Sequence, residues 1–265
     1  MDLSGKVAVV TGGGGVGCGV SLDLAARGAK VVVNDLVLGD VKLTAENVVA
    51  EIRAAGGEAV ADGNNVATFD SSTKIIGTAI EKFGRIDFLV MYAGNFVADS
   101  VADLTEERWH NSLAVHLTGP MGCAKAAVQH MTKQGDGGRI ITVASRAAFL
   151  APIPAYAAAT AGIMGLTSAL AAGLAPAGIT ANRLIPSATT QLFPGQDANA
   201  RTMGMLASIT LGPDYIALVV TYLVSDQAGE VTGRFVHASG GDICIYAEPL
   251  GLHGGTNSIV RNNGK

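Results

Sequence analysis

The strongest constraint on this chain is a rhythm. Short apolar, β-branched runs fall at Lys6–Thr11, Lys30–Val33, 58–62, 86–91, 138–144, 178–185 and 234–238. Between them lie helical patterns: one through Leu22–Ala26, then about 43–55, 71–83, about 106–132, 155–175, a short region 196–210, and 213–225. Strands that alternate with helices need right-handed crossovers, which lay the strands parallel and place helices over both faces. The expectation is an α/β fold, a doubly wound parallel sheet of about seven strands. Nothing reads as a linker or repeat, so residues 1–265 are expected to form a single domain, with 251–265 an irregular polar tail.

Composition narrows the class. Hydrophobic residues make up 49% of the chain and charged ones 15%, the reverse of a disordered balance. Eighteen Lys and Arg against 22 Asp and Glu leave no basic stripe to track phosphates, so nucleic acid is not an expected partner. The three cysteines, Cys18, Cys123 and Cys244, are too few and too scattered for a disulfide framework or a metal site. Free thiols suit a reducing cytoplasm, and the first residues carry no signal-peptide pattern, so a cytoplasmic location is expected.

The first strand runs into Thr11-Gly12-Gly13-Gly14-Gly15-Val16-Gly17-Cys18-Gly19 before the first helix begins. In that context the helix N-terminus can face a bound pyrophosphate. Asp35 ends the second strand about twenty residues on, where a carboxylate accepts hydrogen bonds from both ribose hydroxyls of NAD. It would repel a 2′-phosphate, so NAD is expected over NADP. A tight turn with no ligand is the alternative reading of the glycines.

From end to end the chain resembles the short-chain dehydrogenase/reductase family. The resemblance rests on Gly12 to Gly17, Asn34-Asp35, Ala93-Gly94, Ser145, Tyr156, Pro186 to Thr190, Thr232-Gly233 and Gly240-Gly241. Val31–Leu36 and Val115-His116-Leu117 are similar to the branch that oxidises 3-hydroxyacyl-CoA thioesters and steroid-like alcohols. It implies a Rossmann-type fold, with a lid over the substrate at 187–212. It also implies cofactor contacts from Gly12, Gly15, Val16, Gly17, Asp35, Asn64, Ala93, Gly94, Thr160, Pro186 and Thr190. In the family a serine holds the substrate oxygen, here Ser145, and a tyrosine moves the proton, here Tyr156. His116 stands at the relay position.

Five departures cluster at those functional positions. The family's lysine, one helical turn after the tyrosine, is Thr160, so the group that lowers the phenol pKa is missing. The glycine loop is one residue short of the family spacing. Met91-Tyr92-Ala93-Gly94 replaces Asn-Asn-Ala-Gly, placing Tyr92 where it would crowd the cofactor channel. Ser145 and Tyr156 are eleven residues apart, two fewer than usual, and Ser187 follows Pro186 in place of glycine.

No charged side chain occurs from Ala147 to Asn182. Three prolines and a content of Ala, Gly, Ser and Thr argue for a protein-covered helix over a membrane span. The helices about 106–132 and 155–175 are therefore expected to form a dimer or tetramer interface, with a second copy or with a homologous active subunit. The resulting expectation is a component of an NAD-dependent dehydrogenase for a hydroxyacyl-CoA or similar secondary alcohol, this chain being the degenerate or weakly active subunit. Two alternatives stand beside it. One is an active homo-oligomer that uses Ser145 and Tyr156 without the lysine; the other is a non-enzymatic nucleotide-binding or structural protein.

Overall fold

The apolar runs form the strands that alternation demands. The computed structural model describes residues 1–36, 45–187, 214–239 and 242–246. Its sheet contains β1 (Val7–Thr11), β2 (Lys30–Asn34), β3 (Ala59–Asp62), β4 (Phe88–Met91), β5 (Gly138–Val143), β6 (Ile179–Pro186), β7 (Phe235–Ser239) and β8 (Asp242–Tyr246). They lie in the order β3-β2-β1-β4-β5-β6-β7-β8. All neighbours from β3 to β7 are parallel, and β8 returns antiparallel to β7. The helices are α1 (Gly15–Ala26), α2 (Ala45–Ala54), α3 (Phe69–Phe83), α4 (Glu106–Leu113), α5 (Gly119–Gln134), α6 (Ala147–Leu150), α7 (Pro154–Leu174) and α8 (Asp214–Val224).

Both faces of the sheet are covered, so the central strands are apolar at every position. Ala8, Val10, Val31, Val33, Phe88 and Val90 pack beneath α1, α2 and α8. Val7, Val9, Val32, Leu89, Met91 and Ile140 pack beneath α3, α5 and α7. The chain switches direction between β1 and β4, which opens a crevice at their carboxyl ends.

Three features depart from the sequence pattern. The helix expected over about 106–132 is divided by a π-helical turn at Ala114–Thr118, where the Gly119 amide reaches back to the Ala114 carbonyl. Pro120 has no amide to offer His116, so the ordinary ladder is broken there. Gly119 also lies so close to the Val66 carbonyl that a Cβ would stand 2.5 Å from its oxygen. The second feature is α6, a four-residue helix between β5 and α7. The third is β8, whose alternating Asp-Ile-Cys-Ile-Tyr follows Gly240-Gly241, a hairpin signal in the sequence. Opposed residues of an antiparallel pair share a face, so Ile243 and Ile245, facing Ala238 and Val236, lie on the α8 side. The lid at 187–212 (beyond Ser187), the helix at 196–210, Thr190, Gly240-Gly241 and the tail 251–265 lie outside the described residues.

The α7 helix and the following turn, Pro154–Ala177, are long and apolar enough to cross a membrane by length and composition, with a mean hydropathy of 1.5. The helix rests on β5, β6 and the π turn, burying Tyr156, Thr160, Ile163, Met164 and Thr167. Across its most apolar window only 33% is buried. Arg183 of β6 anchors its far end. The guanidinium stacks 3.6 Å from the Phe235 ring centre and donates to Ser168 Oγ at 2.8 Å and the Gly233 carbonyl at 2.7 Å. Removing this buried stack and both bonds with Arg183→Ala is expected to cost about 3 kcal/mol, read as a lower urea midpoint with an unchanged denaturant slope.

Candidate active site

The turn between β1 and α1 is built by close backbone contacts. Gly12 (φ +76°) sits against the exit of β4, where a Cβ would lie 2.5 Å from the Ala93 nitrogen. A Cβ on Gly17 would lie 1.9 Å from the Gly12 carbonyl oxygen. Neither position tolerates a side chain, because backbone on both sides leaves nothing flexible to yield. Gly15 also has positive φ. The Thr11 hydroxyl accepts from the Ala93 amide at 3.3 Å, tying the turn to β4.

Asp35 closes the loop from the opposite side. Its carboxylate accepts from the Gly14 amide at 2.8 Å and from Leu36. Gly14 is the N-cap of α1, and Asp35, 21 residues away, accepts from its backbone amide, the part an N3 carboxylate plays in a capping box. Burial raises the Asp35 pKa above the usual carboxylate value, and the two amide bonds oppose that rise. The Gly15 and Val16 amides make no hydrogen bond with the described residues. They are the orphan donors of a helix N-terminus.

Asn64 is held in a network centred on Asp62, a residue the sequence pattern did not single out. Asn64 donates its backbone and side-chain amides to the Asp62 carboxylate, both at 3.0 Å. Asn34 donates to the same carboxylate at 2.8 Å and to the Asn64 carbonyl at 2.8 Å, and Thr78 adds a bond at 2.7 Å. The Asp62 carbonyl accepts from the Asp35 amide at 3.1 Å, so the network fixes the end of β2. The proximity of β2 and β3 was readable; this role for Asp62 required the pairing register.

Tyr92 is half-buried beside the glycine loop and packs against the core under α1. A Cβ on Gly17 would stand 3.6 Å from its own Cβ. The hydroxyl is enclosed with no hydrogen-bond partner among the described residues, and burial pushes its pKa well up.

The second group gathers at β5 and α7. Ser145 follows β5, and its hydroxyl comes near enough to the Tyr156 phenol to favour the phenolate, despite the short interval between them. The chain spans that interval with α6 and a turn at Ala151–Ile153, and Ser145 Oγ accepts from the Ala147 amide at 3.1 Å. The Tyr156 ring is held edge-on by Phe96 at 5.5 Å and by His116 at 5.0 Å. Phe96 is a wall that the motif pattern did not reveal. Burial raises the phenol pKa above its ordinary 10.0, and Ser145 only partly offsets it.

His116 projects from the π turn over Gly94, where a Cβ would be 2.7 Å from the imidazole. Its Nε2 lies 2.7 Å from the Asn95 carbonyl. Burial lowers its pKa, so the ring is neutral at neutral pH and brings no charge to Tyr156. Thr160 stands one turn beyond Tyr156, 1% exposed. Its hydroxyl donates back to the Tyr156 carbonyl at 2.8 Å and to Ala157 at 3.3 Å, satisfying itself on its own helix. Pro186 ends β6 beside Ala238 of β7, at the same edge of the sheet.

The expected residues therefore form two groups at the carboxyl ends of the strands. Gly12, Gly15, Val16, Gly17, Asp35, Asn64, Ala93 and Gly94 surround β1 to β4. Ser145, Tyr156, His116 and Thr160 surround β5 and α7, and the His116–Gly94 contact joins the two. Free first-turn amides and the Asp35 carboxylate fit the adenosine and pyrophosphate half of a dinucleotide. On the proton-transfer side, no cation among the described residues forms a hydrogen bond or ion pair with Tyr156. Asp35→Ala leaves the Gly14 amide without its acceptor and is expected to destabilise the chain by about 1–2 kcal/mol. Asp35→Asn retains an oxygen there and should lose less, an order that thermal melts and amide exchange at Gly14 will test.

Residues 6–198 match the family model described as short chain dehydrogenase. The chain is 37% identical over 272 residues to the peroxisomal multifunctional enzyme type 2 of Drosophila melanogaster, covering 98% of this chain and 42% of that protein. The chain thus spans less than half of that relative's length. It is 37% identical over 247 residues to the 3-oxoacyl-[acyl-carrier-protein] reductase of a Synechocystis species, covering 90% and 97% of the two chains. The structure superimposes with a TM-score of 0.82 on a short chain dehydrogenase from Burkholderia cenocepacia solved in complex with NADP, at 33% identity, covering 91% of this chain and 99% of that one. The chain belongs to the short-chain dehydrogenase/reductase family of oxidoreductases, whose chemistry uses a nicotinamide dinucleotide.

Proposed function

We propose that this chain is a subunit of an NAD-dependent dehydrogenase for a hydroxyacyl thioester or similar secondary alcohol. In that assembly it is the non-catalytic or weakly active member beside a homologous chain that keeps the lysine. One observation carries the reading: Thr160, at the lysine position, is uncharged and turns its hydroxyl back onto its own helix. The name of the 3-oxoacyl-[acyl-carrier-protein] reductase relative favours an acyl thioester. Asp35 favours NAD over NADP, because a second negative charge beside its carboxylate would be repelled.

The chemistry shows what is missing. A bound nicotinamide supplies the hydride acceptor for the carbinol carbon. Ser145 can hold the alcohol oxygen, and Tyr156 must take the hydroxyl proton, which it can do only as phenolate. With its pKa raised by burial, less than about a thousandth of the phenol is ionised at pH 7. Neutral His116 does not change that fraction. The active homo-oligomer reading is supported by the Ser145–Tyr156 contact, yet it must work through this small phenolate population.

The assembly is proposed to form through α4, α5 and α7. An uncharged helix with most of its apolar window open is expensive to leave in water, and its exposed small residues allow close approach.

Two experiments address the proposal. The purified chain alone, given a 3-hydroxyacyl-CoA and NAD, is expected to show no turnover at pH 7, and activity should appear on co-expression with a chain carrying Tyr-x-x-x-Lys. Any residual activity of the lone chain should climb about tenfold per pH unit, without levelling below the ordinary tyrosine pKa of 10.0. Rapid turnover at pH 7 that Tyr156→Phe abolishes would refute the non-catalytic reading. Separately, Ala169→Glu places a charge on an exposed position of α7; light scattering should then report a smaller particle than the wild type, and an unchanged mass would exclude α7 from the interface.

A further inference from the structure

The sheet ends on β8, and all five of its residues are exposed. Pairing with β7 sets the direction of each side chain. Ile243 and Ile245 oppose Ala238 and Val236, which belong to the core on the α8 side. Asp242, Cys244 and Tyr246 point to the other side, where the Tyr246 ring stands 5.8 Å from the His237 ring. α8 packs over β5, β6 and β7. The sheet therefore runs one strand beyond that helix, and Ile243 and Ile245 stay 60% and 63% open.

An exposed edge strand with apolar side chains is a template for another strand. The sequence of β8 makes it complementary to itself. Opposed residues of an antiparallel pair share a face, so a two-fold axis that keeps both α8 sides together sets the isoleucines of one copy against those of the other. The register that pairs all five residues puts Ile243 against the partner's Ile245, Cys244 against the partner's Cys244 and Asp242 against the partner's Tyr246. No like charges meet across this pairing. The two Asp242 carboxylates are offset by four residues, roughly 14 Å at about 3.4 Å per residue, beyond the screening length of about 8 Å.

We propose that β8 is a self-pairing edge, through which two copies of this chain join their sheets antiparallel along Asp242–Tyr246. This contact lies at the end of the sheet, apart from α4, α5 and α7, and does not depend on the catalytic standing of the chain. Together the two interfaces would close a tetramer.

Cys244 provides the test, because it is exposed while Cys18 is half-buried and Cys123 buried. Opposed Cα atoms of an antiparallel pair stand about 4.5–5.5 Å apart, within the roughly 4.4–6.8 Å that a disulfide spans. The purified full chain is oxidised with copper phenanthroline and run on a denaturing gel without reductant. A dimer band is expected, forming at a rate that stays constant over a tenfold dilution in which light scattering shows a constant particle mass. Cys244→Ser should remove the band. Ile245→Lys, which sets a charge against the partner's Ile243, should slow its formation at least tenfold, and Ile245→Val should leave it unchanged. A rate that falls in proportion to dilution marks random collision and overturns the proposal, as does a band that survives Cys244→Ser. Absence of the band also overturns it. N-ethylmaleimide then separates the causes: a freely reactive Cys244 leaves β8 an open edge, and a shielded one gives the strand to another cover, residues 247–265 of the same chain or a different protein.

Discussion

The contact on which the site depends is the close approach of the β1–α1 turn to the end of β4. Gly12 and Gly17 lie against backbone, with no room for even one methyl group. That contact brings α1's free amides toward the crevice at the switch between β1 and β4. The turn is finished from outside, by a carboxylate just past the end of β2 that holds the amide of the N-cap glycine. Asp35 is held in turn by the Asp62 network on β3. Three strands thus cooperate to shape one short loop, and a change on β3 can be felt at a helix N-terminus it does not touch.

The fold was largely legible in the sequence because a parallel sheet covered on both faces writes itself as repeated apolar runs. The loop, Asp35, Ser145 and Tyr156 were legible because each sits at a strand or helix end that the alternation locates. What could not be read depended on tertiary geometry. Asp62 and Asn34 needed the β2–β3 register, and Phe96 needed the path of the chain beyond β4. Ser145 stays close to Tyr156 across a shortened connection because α6 takes up the chain compactly. The β8 strand was signalled by Gly-Gly between two short runs, but its five residues were too few to stand out from a tail.

The site combines a well-constructed scaffold with weakened proton chemistry. Glycine loop, capping carboxylate and tyrosine cage are all held by several contacts each. Thr160 instead spends its hydroxyl on its own helix, and His116 is neutral. The electrostatic result is a phenol surrounded by rings and carbonyls, with burial favouring the protonated form.

The π turn ahead of α5 has a geometric meaning of its own. An α-helix advances about 1.5 Å and about 100° with each residue, so one surplus residue changes the phase between α4 and α5 far more than it changes their separation. His116 occupies that surplus, and its direction over Gly94 is set by the phase. Deleting Ala114, Val115, Leu117 or Thr118 would act on the site as a rotation. α5 could remain seated against α3, while the imidazole turned away from Tyr156 and α4 presented a different side to α7.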